Sequence, residues 1–140
     1  MTNQSLESVV RANHELFMRT TDRLARPLEE LGLTHATAQA LWAIDPDEPA
    51  PSMKVLAGRL FCNAPNLSFV INQLVDRGLV ERGADPADRR ARVAVLTERG
   101  REVRERVVRL TLDQSPFAGC EPDELDRLAE ILRQVLDRAD

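Results

Sequence analysis

Between Ser52 and Thr97 the chain sets two short helical patterns almost end to end, then a turn-rich break flanked by β-branched runs. Few folds accept that order. Ser52 can cap a helix over 53–61. Its apolar positions are Val55, Leu56 and Leu60, with Ala57 and Gly58 small enough for close packing. Asn63 can cap the next helix, and Pro65 suits its first turn, where a missing N–H is no loss. Leu67, Ile71 and Leu74, with Val70 beside them, fall at i, i+4 and i+7 on one face. Pro65, Ser68, Phe69 and Asn72 fall on the other. Gly78 stops this helix after about Arg77. LVER at 79–82 and RVAVLT at 92–97 read as strands, and the intervening GADPADRRA is rich in turn formers, so the spacing predicts a hairpin with a long tip.

Helical spacing extends on both sides. Leu6, Val9, Val10, Leu16, Phe17, Leu24, Leu28 and Leu31 predict a long first helix over 5–31, stopped by Gly32, with Pro27 bending it or opening a second segment. Thr34 caps a helix over 35–44 that offers Ala38, Leu41, Trp42 and Ile44 to a core. DPDEPAP at 45–51 is a loop. Thr97 caps a helix over 98–113, PFAG breaks it, and a last helix covers 122–138. The fold class is mainly α with a small β-hairpin: a winged helix-turn-helix carrying extra N- and C-terminal helices. In such a fold the helix after Asn63 enters the major groove and the hairpin reaches the phosphates or the minor groove.

Composition narrows the class further. At 140 residues the chain is long enough for one domain with its own core, read as a single unit over 1–140. The longest uncharged stretch, Leu60–Val75, contains six polar or turn-forming residues and is no membrane span. The first residues lack a basic start followed by an apolar run, so no signal peptide is expected and the protein is placed in the cytoplasm. Cys62 and Cys120 make neither a metal spacing nor a disulfide framework. The formal net charge is −4, yet residues 82–92 carry four arginines against two aspartates. A basic segment on an acidic chain points to a local anion contact, against a solvated loop tethered to Asp85 and Asp88. No nucleophile–base set, paired-carboxylate site or phosphate loop is present, so no enzyme, catalytic residue or cofactor is expected.

With these segments placed, the chain resembles the MarR family of bacterial transcription regulators. GLTHATAQALWAI at 32–44, SMKVLAGRL at 52–60, PNLSFVINQLVDRGLVER at 65–82 and DPADRRARVAVLTERG at 85–100 carry the resemblance, the last being the most specific. It covers about residues 6–138. It implies a homodimer in which 1–31 and 114–140 supply dimerisation helices and 34–113 the winged helix-turn-helix and connecting helix. It further implies double-stranded DNA as partner, at a palindromic operator, repression, and release by a small-molecule effector. One departure stands out: where the family often has a basic residue on the recognition helix, this chain has Phe69.

On these grounds the DNA-binding set is Asn63, Ala64, Pro65, Asn66, Ser68, Phe69, Asn72, Arg89, Arg90 and Arg92. Ser68 and Asn72 can hydrogen-bond base edges. Phe69 can touch a thymine methyl or tuck against the wing. Asp88 is expected to hold an arginine side chain. His14, Phe17 and Trp42 are the effector-binding candidates that the resemblance implies, although the bare residues read Trp42 as core. With two histidines in the chain, metal sensing is not expected. Two alternatives stay open: a thiol-based redox regulator on the same fold, using Cys62 before a helix N-terminus, and a winged helix that binds protein instead of DNA.

Overall fold

The computed structural model describes residues 3–140. Met1 and Thr2, where the predicted 1–140 domain begins, lie outside the described residues. Helix α1 spans Gln4–Glu30, its first turn capped by the Asn3 side chain, which accepts from the Leu6 amide at 3.0 Å. It runs unbroken through Pro27, so the expected second segment does not form. Pro27 sits in the last turn between Leu24 and Leu28, both buried, and their packing holds the chain helical on either side of the missing hydrogen bond. Gly32, at φ +74°, supplies the left-handed residue that ends the element.

Helix α2 spans His35–Ala43 and opens on a reciprocal cap. The Thr37 amide donates to Thr34 Oγ1 at 3.2 Å, and the Thr34 amide donates to Thr37 Oγ1 at 2.8 Å. Ala38, Ala40 and Leu41 are buried, and Ile44 follows them into the core. Trp42 does not: it is 39% exposed. Successive helical residues diverge by about 100°, and with Leu41 pointing inward Trp42 is turned to the surface. The last turn of α2 has no basic residue of its own. Arg59 Nη1 donates to the Ala43 carbonyl at 2.8 Å, and Arg104 donates to the carbonyls of Leu41 and Trp42 at 3.1 and 3.0 Å. Distant guanidinium groups thus satisfy carbonyls that a helix end leaves open.

Helix α3 spans Met53–Leu60, with Ser52 as its cap, and α4 spans Ala64–Asp76, capped by Asn63, whose Oδ1 accepts from the Asn66 amide at 2.9 Å. Leu56 is fully buried, but Val55 is exposed and Leu60 only half-buried. The eight residues of α3 pack one narrow stripe, and no atom approaches the open side of Gly58, so close packing there is not needed. On α4, Leu67, Ile71 and Leu74 are buried as the spacing predicts. Gly78, at φ +72°, ends the connection.

The hairpin pairs β1 (Val80–Asp85) with β2 (Asp88–Leu96), antiparallel, from Val80↔Leu96 to Ala84↔Arg92 and then Asp85↔Asp88. The long irregular tip expected from the sequence is instead a turn at Pro86 and Ala87. The register shift leaves residues 89–91 unpaired across the ladder, as a bulge does. Arg89 and Arg90 therefore stand on β2. The Ala94 amide also donates to the Pro51 carbonyl at 3.0 Å, and Ser52 bridges to Val93, so β2 is anchored to the start of α3.

Helix α5 spans Glu98–Gln114. Its cap, Thr97, ties three elements. The Thr97 amide donates to the Leu79 carbonyl at 3.1 Å, Oγ1 donates to the Gly78 carbonyl at 2.6 Å, and Oγ1 accepts from the Gly100 amide at 3.0 Å. Gly100 is buried, and a Cβ there would collide with the Leu79 carbonyl. A 3₁₀ turn at Pro116–Gly119 leads to α6, Pro122–Arg138, which buries no residue. One core cluster gathers the end of α1, α2, α3, α4, both strands and α5. The first half of α1 and all of α6 stand outside it.

Gly100→Ala must push α5 off Leu79 and should cost about 1–3 kcal/mol through overpacking. Thr97→Ala should cost about 1 kcal/mol by removing the cap. Urea unfolding midpoints measure both, and an unshifted midpoint for Gly100→Ala would show that the joint is not tight.

Candidate nucleic-acid interface

With one side of α4 held in the core, its other side faces out. All ten predicted DNA-site residues are at the surface. Asn63, Ala64, Pro65, Asn66, Ser68, Phe69 and Asn72 surround α4, and Arg89, Arg90 and Arg92 lie on β2. Asn63 is occupied as a cap. The structure brings Ser68 and Arg92 together in a groove of about 410 Å³ between α3, α4 and the hairpin, and adds Lys54 and Arg82. Neither of those two was in the predicted set. Both left a trace in the sequence: Lys54 is the only lysine, and Arg82 opens the basic segment. The starts of α3 and α4 border the same groove through Met53, Lys54 and Ala64.

Phe69 lies on the other flank of α4. It is 66% exposed and lines a cleft of about 300 Å³ with Ala36, Gln39, Cys62 and Asn66. It does not tuck against the wing, because the wing-side flank belongs to Ser68.

In the hairpin the aspartates hold main chain, not arginine side chains. Asp85 Oδ1 accepts from the Ala87 amide at 2.9 Å and Asp88 Oδ1 from the Arg90 amide at 3.0 Å. The expected Asp88–guanidinium tether is absent: among the described residues no ion pair involves Arg82, Arg89, Arg90 or Arg92. Asx turns of this kind shape a tight connection using the short side chain itself. The consequence is a stiffened wing with four unpaired cations.

A second feature is a cleft of about 550 Å³ where α1, α2 and the α3–α4 junction meet. Phe17 and Trp42 line it as expected. His14 does not, because it sits about one turn too far toward the free end of α1, and His35 lines the cleft instead. Phe61 also escapes a reading of the sequence; it is left-handed at φ 52° and 96% exposed at the cleft mouth. Nothing in the sequence distinguishes it from a core residue. Cys62 is half-buried and packed against the core, and Cys120 is half-buried after the 3₁₀ turn. No group of three metal-ligating side chains occurs among the described residues, and no helix there is long and apolar enough to cross a membrane.

Two capped helices in a helix-turn-helix, a hairpin wing and long terminal helices define a winged helix-turn-helix fold. A family model described as the MarR family matches residues 31–91, from just after α1 to the first part of β2. The uncharacterized HTH-type transcriptional regulator YkoM of Bacillus subtilis (strain 168) is 30% identical over 85 residues, 59% of this chain and 55% of that one, so the chain spans about half the length of the curated relative it matches. Among solved structures, Sco3205 of Streptomyces coelicolor, a MarR family transcriptional regulator in complex with DNA, superposes with a TM-score of 0.80 at 26% identity, covering 100% of this chain and 91% of that one. BpsR of Bordetella bronchiseptica, whose DNA binding is regulated by 6-hydroxynicotinic acid, superposes at 0.73 with 27% identity, covering 92% and 93%. The chain is thus similar to MarR family transcriptional regulators, in sequence over its central segment and in fold over nearly its whole length.

Arg90→Ala or Arg92→Ala should weaken binding to all DNA sequences and flatten the slope of log K against log salt by about 1 for each phosphate no longer neutralised. Thermal stability should stay near wild type, since neither head group has a carboxylate partner to lose. An unchanged salt slope in both folded variants would remove the wing from the interface.

Proposed function

We propose that this protein is a repressor that binds a palindromic operator as a homodimer, in the cytoplasm, and is released by a small-molecule effector. The observation that carries the reading is the outward face of α4, where Ser68, Phe69 and Asn72 are exposed and Ser68 shares a groove with three cations, Lys54, Arg82 and Arg92, on the adjoining elements. In this reading α4 lies in the major groove, with Ser68 and Asn72 reading base edges. The wing arginines follow the backbone into the adjacent minor groove, where a fixed charge is favoured by the strong negative potential. DNA bound to the related Sco3205 supports the assignment of partner.

Dimerisation is supported by what the single chain leaves uncovered. On α6, Leu125, Ile131, Leu132, Val135 and Leu136 are exposed, and on α1 Leu6, Val9 and Val10 are exposed with them. Two such faces on one chain can bury each other in a two-fold interface, and two-fold symmetry then sets the operator's. Effector control is supported by the 550 Å³ cleft, since Leu60 and Phe61 in its wall lie just before the Asn63 cap of α4. A molecule seated there bears directly on the start of the recognition helix. The regulation of BpsR by 6-hydroxynicotinic acid is a parallel in a related protein.

Selection of bound fragments from genomic DNA tests the reading; an inverted repeat should be recovered, and transcription from the promoter that carries it should rise when the gene is deleted. Sedimentation at micromolar concentration should give twice the 15.7 kDa chain mass, and Ile131→Glu should give monomers that lose the operator. A monomer that binds tightly would overturn the dimer. Replacing each thymine of the recovered site by uracil in turn removes one methyl group at a time. At the position Phe69 touches, wild type should lose roughly 1 kcal/mol and Phe69→Ala nothing more.

A further inference from the structure

Three cations from two elements share the 410 Å³ groove between α3, α4 and the hairpin, and we infer that this groove seats phosphates of one DNA strand, held by Lys54 from α3 and by Arg82 from the hairpin. This inference rests on the DNA-binding reading above and adds two binding residues to it.

The placement follows from the order of the elements. In a duplex the major and minor grooves are separated by a sugar–phosphate strand. With α4 in the first and the wing in the second, one strand has to pass between α4 and the hairpin. The 410 Å³ groove lies in that position: α3 and α4 supply Lys54, Ala57, Ala64 and Ser68, and the hairpin supplies Arg82 and Arg92. Ala57 and Ala64 are small, so the strand can come close to the protein backbone.

Backbone pairing holds the cations together. Ser52 bridges to Val93, and the Pro51 carbonyl accepts from the Ala94 amide. Lys54, in the first turn of α3, is thereby kept beside Arg92, the neighbour of Val93. Arg82 pairs with Ala94, and Arg92 lies two residues from Ala94 on the same strand, so both arginines leave the same face of the hairpin. Lys54, Arg82 and Arg92 are exposed, and among the described residues none of them forms an ion pair. No acidic residue lines the groove, although the chain as a whole carries −4. Like charges gathered in this way repel one another and work against the folded state. Nothing in the groove offsets that repulsion, and a phosphodiester strand does, releasing its own counterions as the cations replace them.

Anisotropy titrations of the full chain with the selected operator, carrying one neutral methylphosphonate at a time, test this. Lys54→Gln and Arg82→Gln should each weaken binding to the unmodified operator roughly tenfold. Each should flatten the slope of log K against log salt by about 1 for every phosphate no longer neutralised. Lys54→Arg should keep its affinity, because the contact asks for charge. Melting temperatures of both glutamine variants should hold or rise, since a repulsion is relieved and no partner is lost. At the phosphates seated in the groove, a methylphosphonate should weaken wild type as the glutamine variants are weakened, and weaken those variants no further; at every other phosphate the two losses should multiply. Those phosphates should lie between the bases that sense Asn72→Ala and the flanking minor groove. Losses that multiply at every position, or full affinity in both glutamine variants, overturn the inference while wild type still binds the operator. Uptake of inorganic phosphate in calorimetric titration, with indifference to every methylphosphonate, makes the groove a free-anion site and overturns it too. Wild-type protein that retains no DNA fragment refutes the DNA-binding reading itself.

Discussion

Leu67, Ile71 and Leu74 are all but completely buried, in one cluster with Leu41 of α2 and Leu56 of α3. Burying three such side chains contributes on the order of 5–9 kcal/mol. Turning the 13-residue helix by a quarter revolution would forfeit most of that and expose nothing that could offset it. The outward direction of Ser68, Phe69 and Asn72 is therefore a consequence of core packing and owes nothing to interactions of their own. The caps reinforce it. Asn63 fixes where α4 begins and Gly78 where it ends, so the phase of the helix and its ends are set independently.

The joint at Leu79 extends that rigidity to the wing. Thr97 bonds to Gly78 and Leu79 on one side and to Gly100 on the other, and the missing side chain of Gly100 lets α5 close on the Leu79 backbone. Recognition helix, wing and connecting helix meet within a few residues, and β2 is separately fastened to the start of α3 through Pro51 and Ser52. The cleft lies at the other edge of that unit, between α1, α2 and the α3–α4 junction.

Local chemistry makes much of this legible. Ser, Thr and Asn caps, positive-φ glycines and the i, i+4, i+7 stripe of α4 are set by neighbours within a few residues, and α6 has the bounds its spacing predicts. What depends on the fold is harder to read. Trp42 looks like core because apolar spacing on a nine-residue helix cannot say which of two adjacent residues turns inward. GADPADRRA looks like an irregular tip because turn formers are common there, yet Asp85 and Asp88 tighten the turn and let the strands run on. His14 is misplaced into the cleft because periodicity gives a face but not the point along α1 at which the body of the protein begins. Phe61 escapes for the opposite reason: a non-glycine residue in a left-handed turn leaves no mark in the sequence. Lys54 belongs to the basic groove only because the hairpin folds back beside α3.

The central claim is that α4 reads base sequence through Ser68 and Asn72 while the wing and groove cations supply attachment. Affinities of Asn72→Ala and Ser68→Ala for the selected operator and for random-sequence DNA, measured side by side at one salt concentration, test it most directly. The claim predicts a loss of roughly 1–3 kcal/mol on the operator with random DNA almost unaffected. Equal losses on both would mean that these side chains touch only the backbone, and would contradict it.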